Sequence, residues 1–259
     1  MISSPANPKI KLIRNLHAKR ASREAEGLFV VEGVRLVEEA LRAPGAPRLA
    51  LYADGLDMRA QTALEQLRAR GATLELVTPE VMAAASDAET PPGLLAVVPL
   101  PALPPPAPLS LALVLDGLRD PGNLGTILRT ADAGGVQAVF LAPGTVDAYN
   151  PKVVRAAMGA HFHLPLVALG WEALAQRLAG LALWLAEARS GPAYHQVDWR
   201  APSALIVGAE AAGPSPAARS LAPNPVCIPM PGQAESLNAA VAAGVILFEA
   251  ARQRLGPRV

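Results

Sequence analysis

What the chain has little of narrows its class before any motif is considered. Its 259 residues include one cysteine, Cys227, so an internal disulfide and a thiolate metal site are both excluded. A lone cysteine is typical of proteins in a reducing compartment, and we therefore predict a cytoplasmic location. No run approaches the roughly 20 apolar residues of a transmembrane helix, so we expect no membrane partner.

Aromatic residues are also scarce, at 4% of the chain, so the core must consist of leucine, valine and alanine. The formal net charge is only +1, yet the charges are unevenly distributed. Six cations precede the first acidic residue: Lys9, Lys11, Arg14, Lys19, Arg20 and Arg23. Such a cluster attracts polyanions by counterion release, although a solvated helix face explains it equally well. We interpret residues 1–23 as a basic arm whose removal would weaken polyanion binding.

Alternating patterns in the first half predict an α/β layer. Strands are predicted over 28–31, 48–53, 73–78 and 93–100, with helices over 34–43, 58–70 and after Pro79. Six prolines between Pro99 and Pro108 cannot continue a helix or a central strand. We predict a domain over 1–98, a linker over 99–109 and a second domain over 110–259; a long surface loop within one domain is the alternative.

The second half predicts repeated strand–loop–helix units. Strands are predicted over 111–117, 137–143, 181–188, 204–210 and 226–230, and helices over 124–135 and at the C-terminus. Continuous apolar runs of this kind are typical of parallel strands that are covered on both faces. Ligands of such sheets bind beyond the carboxyl ends of the strands, so we expect the chemistry in the loops that follow them.

Three of these loops carry polar residues. Asn123 is placed to cap the helix that follows it, and Arg129 is the only cation on that helix. Glu210 follows a strand among small residues, where it either caps the next helix or contacts a ligand. Ser236 is favoured as the cap of the last helix, which leaves Asn238 in the first turn without a structural reason.

Several common chemistries are excluded. The loops lack the Gly-Lys-Ser/Thr of a phosphate-binding loop, the G-x-S-x-G nucleophile elbow, and the G-x-G-x-x-G fingerprint of a nucleotide-dependent dehydrogenase. His161 and His163 alternate along a short segment that we expect to be extended; without further ligands nearby, we expect no metal. Glycine-rich loops without a phosphate-binding cation suit a cofactor that contains adenosine but no phosphate, such as S-adenosylmethionine.

Three motifs in this half carry a family resemblance. They are N-x-G-x-I-x-R-T-A (123–131), G-x-E-x-x-G (208–213) and I-P-M-x-G-x-x-x-S-L-N (228–238). In this order they resemble the SpoU/TrmH family of SPOUT RNA ribose 2′-O-methyltransferases, over roughly 111–254. The first half resembles the substrate-binding domain that is often fused to this family, through N-P-x-I-K, F-x-V-E-G and P-P-G-L-L-A-V-V.

The resemblance implies a parallel-sheet α/β methyltransferase domain with a C-terminal trefoil knot, preceded by a smaller ribosomal-protein-like α/β domain. It also implies a homodimer with the active site at the interface. By motif match, the active-site positions are Asn123, Arg129, Glu210, Ser236 and Asn238. The implied cofactor is S-adenosylmethionine, held by Gly208, Ile228, Met230 and Leu237. The six cations named above are then RNA-binding residues.

The activity implied by the resemblance is methyl transfer from S-adenosylmethionine to a ribose 2′-hydroxyl of structured RNA. Ribosomal RNA is the first expectation for the substrate and transfer RNA the second. The resemblance implies Arg129 as the base, but a guanidinium with a pKa above about 12 also fits a charged clamp on an RNA phosphate. A non-catalytic RNA-binding or ribosome-assembly factor on the same scaffold is the alternative.

Overall fold

The computed structural model describes residues 1–209 and 213–255. The strands are β1 (Leu28–Glu32), β2 (Leu49–Tyr52), β3 (Thr73–Leu76), β4 (Leu94–Pro99), β5 (Leu111–Asp116), β6 (Ala138–Leu141), β7 (Leu166–Ala168), β8 (Ala182–Glu187), β9 (Ser203–Gly208) and β10 (Asn224–Cys227). The helices are α1 (Pro8–Ala18), α2 (Arg20–Glu26), α3 (Val34–Arg42), α4 (Met58–Ala69), α5 (Pro79–Ala85), α6 (Pro121–Ala133), α7 (Pro151–Ala157), α8 (Trp171–Arg177), α9 (Pro216–Leu221) and α10 (Ala239–Leu255). Short 3₁₀ helices cover Ala160–Phe162 and Tyr194–Gln196.

The chain divides into two compact units. The N-terminal unit contains residues 1–102 and 149–162, and the C-terminal unit contains 103–148 and 163–259. The sequence-based boundaries assign 149–162 to the second domain, whereas this segment packs within the N-terminal unit. Val154 and Phe162 are buried there in the same hydrophobic cluster as Phe29.

In the N-terminal unit the strands pair in the order β1-β4-β2-β3. β4 is antiparallel to both of its neighbours, and β2 is parallel to β3. Successive side chains of β1 enter different clusters: Phe29 and Val31 meet α3, α4 and α7, while Leu28 and Val30 meet α1 and α5. Both faces of the sheet are therefore covered, which explains why β1 reads as a continuous apolar run.

The N-terminal segment is an integral part of this unit, so the prediction of a basic arm is wrong. Asn7 accepts a hydrogen bond from the Lys9 amide and Pro8 occupies the first turn, so α1 begins there. Ile10, Ile13 and Leu16 repeat at three-residue spacing and are fully buried against the sheet. The hydrophobic stripe on α1, rather than its charges, decides where the segment lies.

In the C-terminal unit all the strand pairs described are parallel, in the order β10-β8-β9-β5-β6-β7. β5 and β9 are neighbours at the centre, and their residues from Leu111 to Asp116 and from Ser203 to Gly208 are all buried. The loops after β5 and β9 therefore leave the sheet side by side, at the edge where parallel sheets bind ligands.

The end of α10 is anchored by two side chains of the closing A-R-Q-R. Gln253 accepts a hydrogen bond from the Trp199 amide at 2.9 Å and donates to the carbonyl of Val197 at 3.0 Å. The guanidinium of Arg254 donates to the carbonyls of Ser110 and Ala201, at 2.8 and 2.9 Å. These bonds hold the helix against the starts of β5 and β9, so this part of the family pattern has a structural role.

The two histidines singled out in the sequence do not form a pair on extended backbone, contrary to prediction. His161 lies in a 3₁₀ helix and is buried, while His163 is exposed with its Nδ1 atom 3.3 Å from a carboxylate oxygen of Asp132. Over 1–209 and 213–255, no cluster of three or more His, Cys, Asp or Glu side chains has the arrangement of a metal site. Within the same ranges, no helix has the length and apolarity that crossing a bilayer requires.

Candidate active site

The first motif lies within α6, but Asn123 is not the cap of this helix. Asp120 is the N-cap, because its Oδ1 atom accepts a hydrogen bond from the Asn123 amide at 2.7 Å, and Pro121 follows in the first turn. Since Asp120 supplies the cap, the side chain of Asn123 does not cap α6. The Asp-Pro pair was the signal for the helix start.

The third motif brings a second asparagine to the first. Asn238 caps α10, because its Oδ1 atom accepts from the amides of Ala240 at 2.9 Å and Val241 at 3.3 Å. Its Nδ2 atom donates to Oδ1 of Asn123 at 3.0 Å. The prediction that Ser236 caps this helix is therefore wrong. Asn238 both starts α10 and joins it to α6.

The second and third motifs border a common cavity in the C-terminal unit. Gly208 lines it at the end of β9, and Ile228, Met230, Ser236 and Leu237 line it from the third motif. The cavity volume is about 170 Å³, more than ten times the roughly 15 Å³ that one water requires, so it admits a group of an organic ligand. All the predicted cofactor-binding residues lie on its wall.

Gly208 has a structural reason to be glycine. A Cβ atom there would lie 2.6 Å from the carbonyl carbon of Gly213, far inside van der Waals contact. The backbone after the second motif therefore passes directly over the end of β9, and any side chain at Gly208 would displace it. Crowding of the chain against itself is sufficient to require this glycine.

Three residues of the third motif that line this cavity have backbone amides without a protein acceptor in the described structure. Within the part of the chain that the structure describes, the amides of Ile228, Met230 and Leu237 donate no hydrogen bond to protein. Backbone amides that lack a protein partner are normally satisfied by water or a ligand. Small and apolar walls with a few backbone donors suit an uncharged nucleoside better than a phosphate, so the residues present fit the adenosyl group of S-adenosylmethionine.

Arg129 and Glu210 complete the set of predicted catalytic residues. Arg129 lies on α6 six residues after Asn123 and is exposed. Among residues 1–209 and 213–255, its guanidinium has no hydrogen-bond or ion-pair partner. Glu210, with the rest of 210–212, lies outside the described residues.

The six predicted RNA-binding cations divide into two groups. Three are held by protein: Lys9 pairs with Glu75, Arg20 pairs with Glu24, and Arg23 is buried with its guanidinium donating to the carbonyls of Leu16 and His17. Lys11, Arg14 and Lys19 are exposed and have no such partner in the described structure. The second group is the one whose charges are not engaged by a protein partner in the described structure.

Comparisons with known proteins agree with this geometry. Residues 110–248 match the model of the SpoU rRNA Methylase family, and residues 7–96 match the MRM3-like substrate binding domain. The 23S rRNA (guanosine(2553)-2′-O)-methyltransferase RlmP of Bacillus subtilis is 36% identical, over 95% of this chain and 97% of that protein. The 23S rRNA (uridine(2479)-2′-O)-methyltransferase of Streptomyces viridochromogenes is 35% identical, over 97% of this chain and 92% of that protein.

A solved structure supports the same assignment. The crystal structure of the SpoU methyltransferase AviRb from Streptomyces viridochromogenes, in complex with the cofactor AdoMet, superimposes with a TM-score of 0.87 at 33% sequence identity. The match covers 97% of this chain and 100% of the other. Because the family model spans more than half of the chain and the relatives match nearly all of it, the chain belongs to the SpoU rRNA methylase family.

Proposed function

We propose that this protein transfers a methyl group from S-adenosylmethionine to a ribose 2′-hydroxyl of ribosomal RNA. The observation that carries the proposal is the meeting of separate sequence motifs at one edge of the sheet. Asn238 is hydrogen bonded to Asn123 at 3.0 Å, and residues of the second and third motifs share one cavity beside them. A single pocket of this kind can hold a donor and an acceptor together, which contributes much of the rate in a displacement reaction.

The relatives favour ribosomal RNA over transfer RNA as the substrate. Both relatives named above are 23S rRNA 2′-O-methyltransferases, and they match this chain over more than nine-tenths of its length. The N-terminal unit, which matches a substrate-binding domain, supplies the exposed cations Lys11, Arg14 and Lys19 for the RNA backbone. The alternative of a non-catalytic assembly factor leaves the cavity and the paired asparagines without a role.

In the proposed reaction, bound S-adenosylmethionine supplies an activated methyl carbon. Gly208, Ile228, Met230 and Leu237 hold the adenosyl group through small walls and backbone donors. Asn238 orients Asn123, and with Ser236 these side chains position the ribose. Glu210 belongs to the same proposed catalytic set by its place in the second motif. The residues therefore align the 2′-oxygen, and metal ligands have no part in the proposal.

Arg129 is assigned the role of an electrostatic clamp in this proposal. A guanidinium has a pKa above about 12, so using it as a base near pH 7 would cost roughly 7 kcal/mol. The guanidinium of Arg129 is exposed and has no partner among residues 1–209 and 213–255, which suits it to a bidentate bond with an RNA phosphate. From there its charge also stabilises the 2′-oxygen as the hydroxyl proton passes to solvent water and the oxygen takes the methyl group.

The test is transfer of labelled methyl from S-adenosylmethionine to purified ribosomal RNA and, in parallel, transfer RNA. A methylated 2′-oxygen cannot attack the neighbouring phosphate, so the modified position is mapped as an alkali-resistant linkage. We expect label in ribosomal RNA, and Arg129→Lys should lose most of the transfer while binding the cofactor normally in calorimetry. Label confined to transfer RNA, or in neither RNA, would contradict the proposal. Near-normal turnover of the Lys variant would remove Arg129 from the mechanism.

The proposal includes a homodimer, supported by the surface of α10. Val241, Phe248 and Leu255 are 52%, 51% and 69% exposed, and their seven-residue spacing places them on one face of the helix. It also includes a C-terminal trefoil knot, supported by the motif resemblance. The proposed location is the cytoplasm, which the single cysteine supports.

A further inference from the structure

A second cavity of the C-terminal unit lies beyond the carboxyl ends of β5 and β9. It shares Ala209, Gly213 and Pro214 with the cofactor cavity, and Arg119 closes it from the loop after β5. Its volume is about 510 Å³, within the roughly 300–1,000 Å³ that is typical of small-ligand pockets. None of the residues assigned to catalysis or cofactor binding lines it among those described, so the proposed function leaves it unexplained.

The two carboxylates nearest to Arg119 in sequence accept backbone hydrogen bonds and form no ion pair with it in the described structure. Asp116 is buried and accepts a hydrogen bond from the Ser215 amide at 2.6 Å, and Asp120 is occupied by the Asn123 amide at 2.7 Å. Arg119 is exposed and has no ion-pair or hydrogen-bond partner over the described ranges. Among the described lining residues it is also the one cation. The cavity therefore has an exposed guanidinium and a buried carboxylate in its lining, and of these two charged groups the guanidinium is the one exposed to a ligand.

The walls of the cavity are apolar and contain little side-chain bulk. Pro143, Pro214 and Pro216 contribute ring surfaces, and Gly117 and Gly144 add backbone without side chains; a Cβ on Gly144 would be in ordinary van der Waals contact with the Cα of Gly117, at 3.6 Å. Apolar surfaces of this kind can pack against the face of a nucleobase, while a guanidinium donates hydrogen bonds to a phosphate. The combination matches one nucleotide of an RNA strand.

We propose that this cavity seats an RNA nucleotide adjoining the methylation target, with Arg119 as a positioning residue that grips its phosphate. The inference rests on the proposed function and adds an RNA subsite to it. Because Arg119 and Asn123 lie four residues apart across the N-cap of α6, a phosphate held at Arg119 places the RNA strand next to the paired asparagines. The contact is to the backbone, so it is independent of base identity.

The experiment compares Arg119→Gln with Arg68→Gln, which removes the same charge from an exposed position on α4 with no partner in the described structure. Binding of a large-subunit ribosomal RNA transcript is measured over a range of salt concentrations, and methyl transfer is measured as kcat and KM. For Arg119→Gln we expect KM for RNA to rise about fivefold and the salt slope to fall by about one, since one phosphate contact is lost. The kcat value and cofactor affinity should stay within about twofold. Arg119→Lys should restore the salt slope, because it retains the charge.

The outcomes separate the two proposals. If Arg119→Gln matches Arg68→Gln in both KM and salt slope while the wild type transfers methyl normally, the RNA subsite is overturned and the function stands. If the wild type transfers no methyl to ribosomal RNA, the function falls, and the salt slope of binding still decides whether Arg119 contacts RNA. A loss of cofactor affinity in Arg119→Gln would show that the residue supports the fold of the loop and would also overturn the subsite.

Discussion

At the scale of single residues, capping decides which polar side chains remain available for function. Asp120 caps α6, so Asn123 is left to accept the Nδ2 hydrogen bond of Asn238. Asn238 uses its two amide atoms separately: the oxygen caps α10 and the nitrogen reaches α6. Asn238 therefore has two roles, capping α10 and positioning Asn123, and different substitutions can remove them separately.

We predict that Asn238→Asp and Asn238→Ala differ in stability but lose methyl transfer to a similar degree. Aspartate keeps the capping oxygen but loses the N–H donor and faces Oδ1 of Asn123 with a second oxygen. It should keep the free energy of unfolding within about 0.5 kcal/mol of wild type, whereas alanine should lower it by about 1 kcal/mol. Both should lose methyl transfer by about tenfold, the equivalent of roughly 1.4 kcal/mol. Urea unfolding and labelled-methyl assays measure the two effects.

Ser236→Ala is the matched control for stability in that experiment. Ser236 makes no capping bond, so its loss should leave the free energy of unfolding unchanged within about 0.5 kcal/mol. Full turnover by Asn238→Asp would show that the bond to Asn123 does not position the substrate.

A buried polar group in the N-terminal unit gives that unit a predicted pH dependence. His17 is largely buried, with Nε2 3.4 Å from Oε1 of Glu32, which itself accepts the Asp87 amide at 2.9 Å. Burial lowers the pKa of His17 below the ordinary 6.5, and it outweighs the opposing effects of the Glu32 and Asp87 charges and the Ala85 carbonyl. Arg155, paired with Asp87 at 2.7 Å, lowers this pKa further.

The folded state therefore binds a proton at His17 less readily than the unfolded state does. The contribution of neutral His17 to the free energy of unfolding is fully present above pH 6.5. It is lost progressively as the pH falls from 6.5 toward the lowered pKa. We predict that the urea concentration at the unfolding midpoint falls less for His17→Gln than for the wild type when the pH is lowered from about 7.5 to about 5.5. An imidazole titrates in this pH interval, and glutamine does not. Equal losses in the two proteins would mean that His17 does not titrate across this range.

At the scale of elements, α1 combines a core face and a ligand face. Its buried side includes Ile10, Ile13 and Leu16, while Lys11 and Arg14 point outward. Each buried side chain contributes about 1.5–3 kcal/mol, so removing the segment costs an amount comparable with the 5–15 kcal/mol of a whole domain. Deletion of residues 1–23 would therefore disturb the fold as well as remove the cations. Substitution of the exposed cations alone is the test of RNA binding.

We predict that the triple variant Lys11→Gln, Arg14→Gln and Lys19→Gln weakens RNA binding and lowers its salt slope by about two to three. The expected cause is the loss of about one phosphate contact for each cation. The measurement is the affinity for a ribosomal RNA transcript as a function of salt.

The control removes three cations that are engaged by carboxylates: Arg42→Gln, Arg48→Gln and Arg59→Gln. Both triple variants have the same net charge, so an effect of overall charge would appear in both. An equal fall in slope for the two proteins would reject a specific role for α1.

At the scale of the whole molecule, the proposed dimer makes the exposed face of α10 an interface. A charge in the middle of this apolar stripe should oppose association, because an unpaired buried charge is costly. We predict that Phe248→Asp is monomeric in analytical ultracentrifugation and loses methyl transfer, while the wild type sediments as a dimer. Met58→Asp, at a methionine of α4 that is 82% exposed, should sediment as the wild type does. A monomeric wild type with full activity would contradict the dimer.

The sequence predicted only some of the domain boundaries. The proline run after Pro99 marks the end of the continuous first segment, because proline cannot pair within a sheet or continue a helix. The sequence analysis missed the return of residues 149–162 to the N-terminal unit. Val154 and Phe162 look like ordinary apolar residues in sequence, and only their burial beside Phe29 assigns them to that core.

The sequence by itself determined the fold class, the order of most strands and helices and the three motifs, because these depend on local periodicity and on residues close in the chain. Only the tertiary structure decided that Asn238, 115 positions away in sequence, meets Asn123, that Arg23 turns inward and that α1 belongs to a core. These outcomes depend on which groups compete for the same partner in space: Asp120 caps α6 while Asn123 pairs with Asn238, and the carbonyls of Leu16 and His17 hold Arg23 away from the surface. Separation along the sequence does not tell which polar groups will compete for a hydrogen-bond partner. Burial and hydrogen-bond geometry in the folded protein decide it.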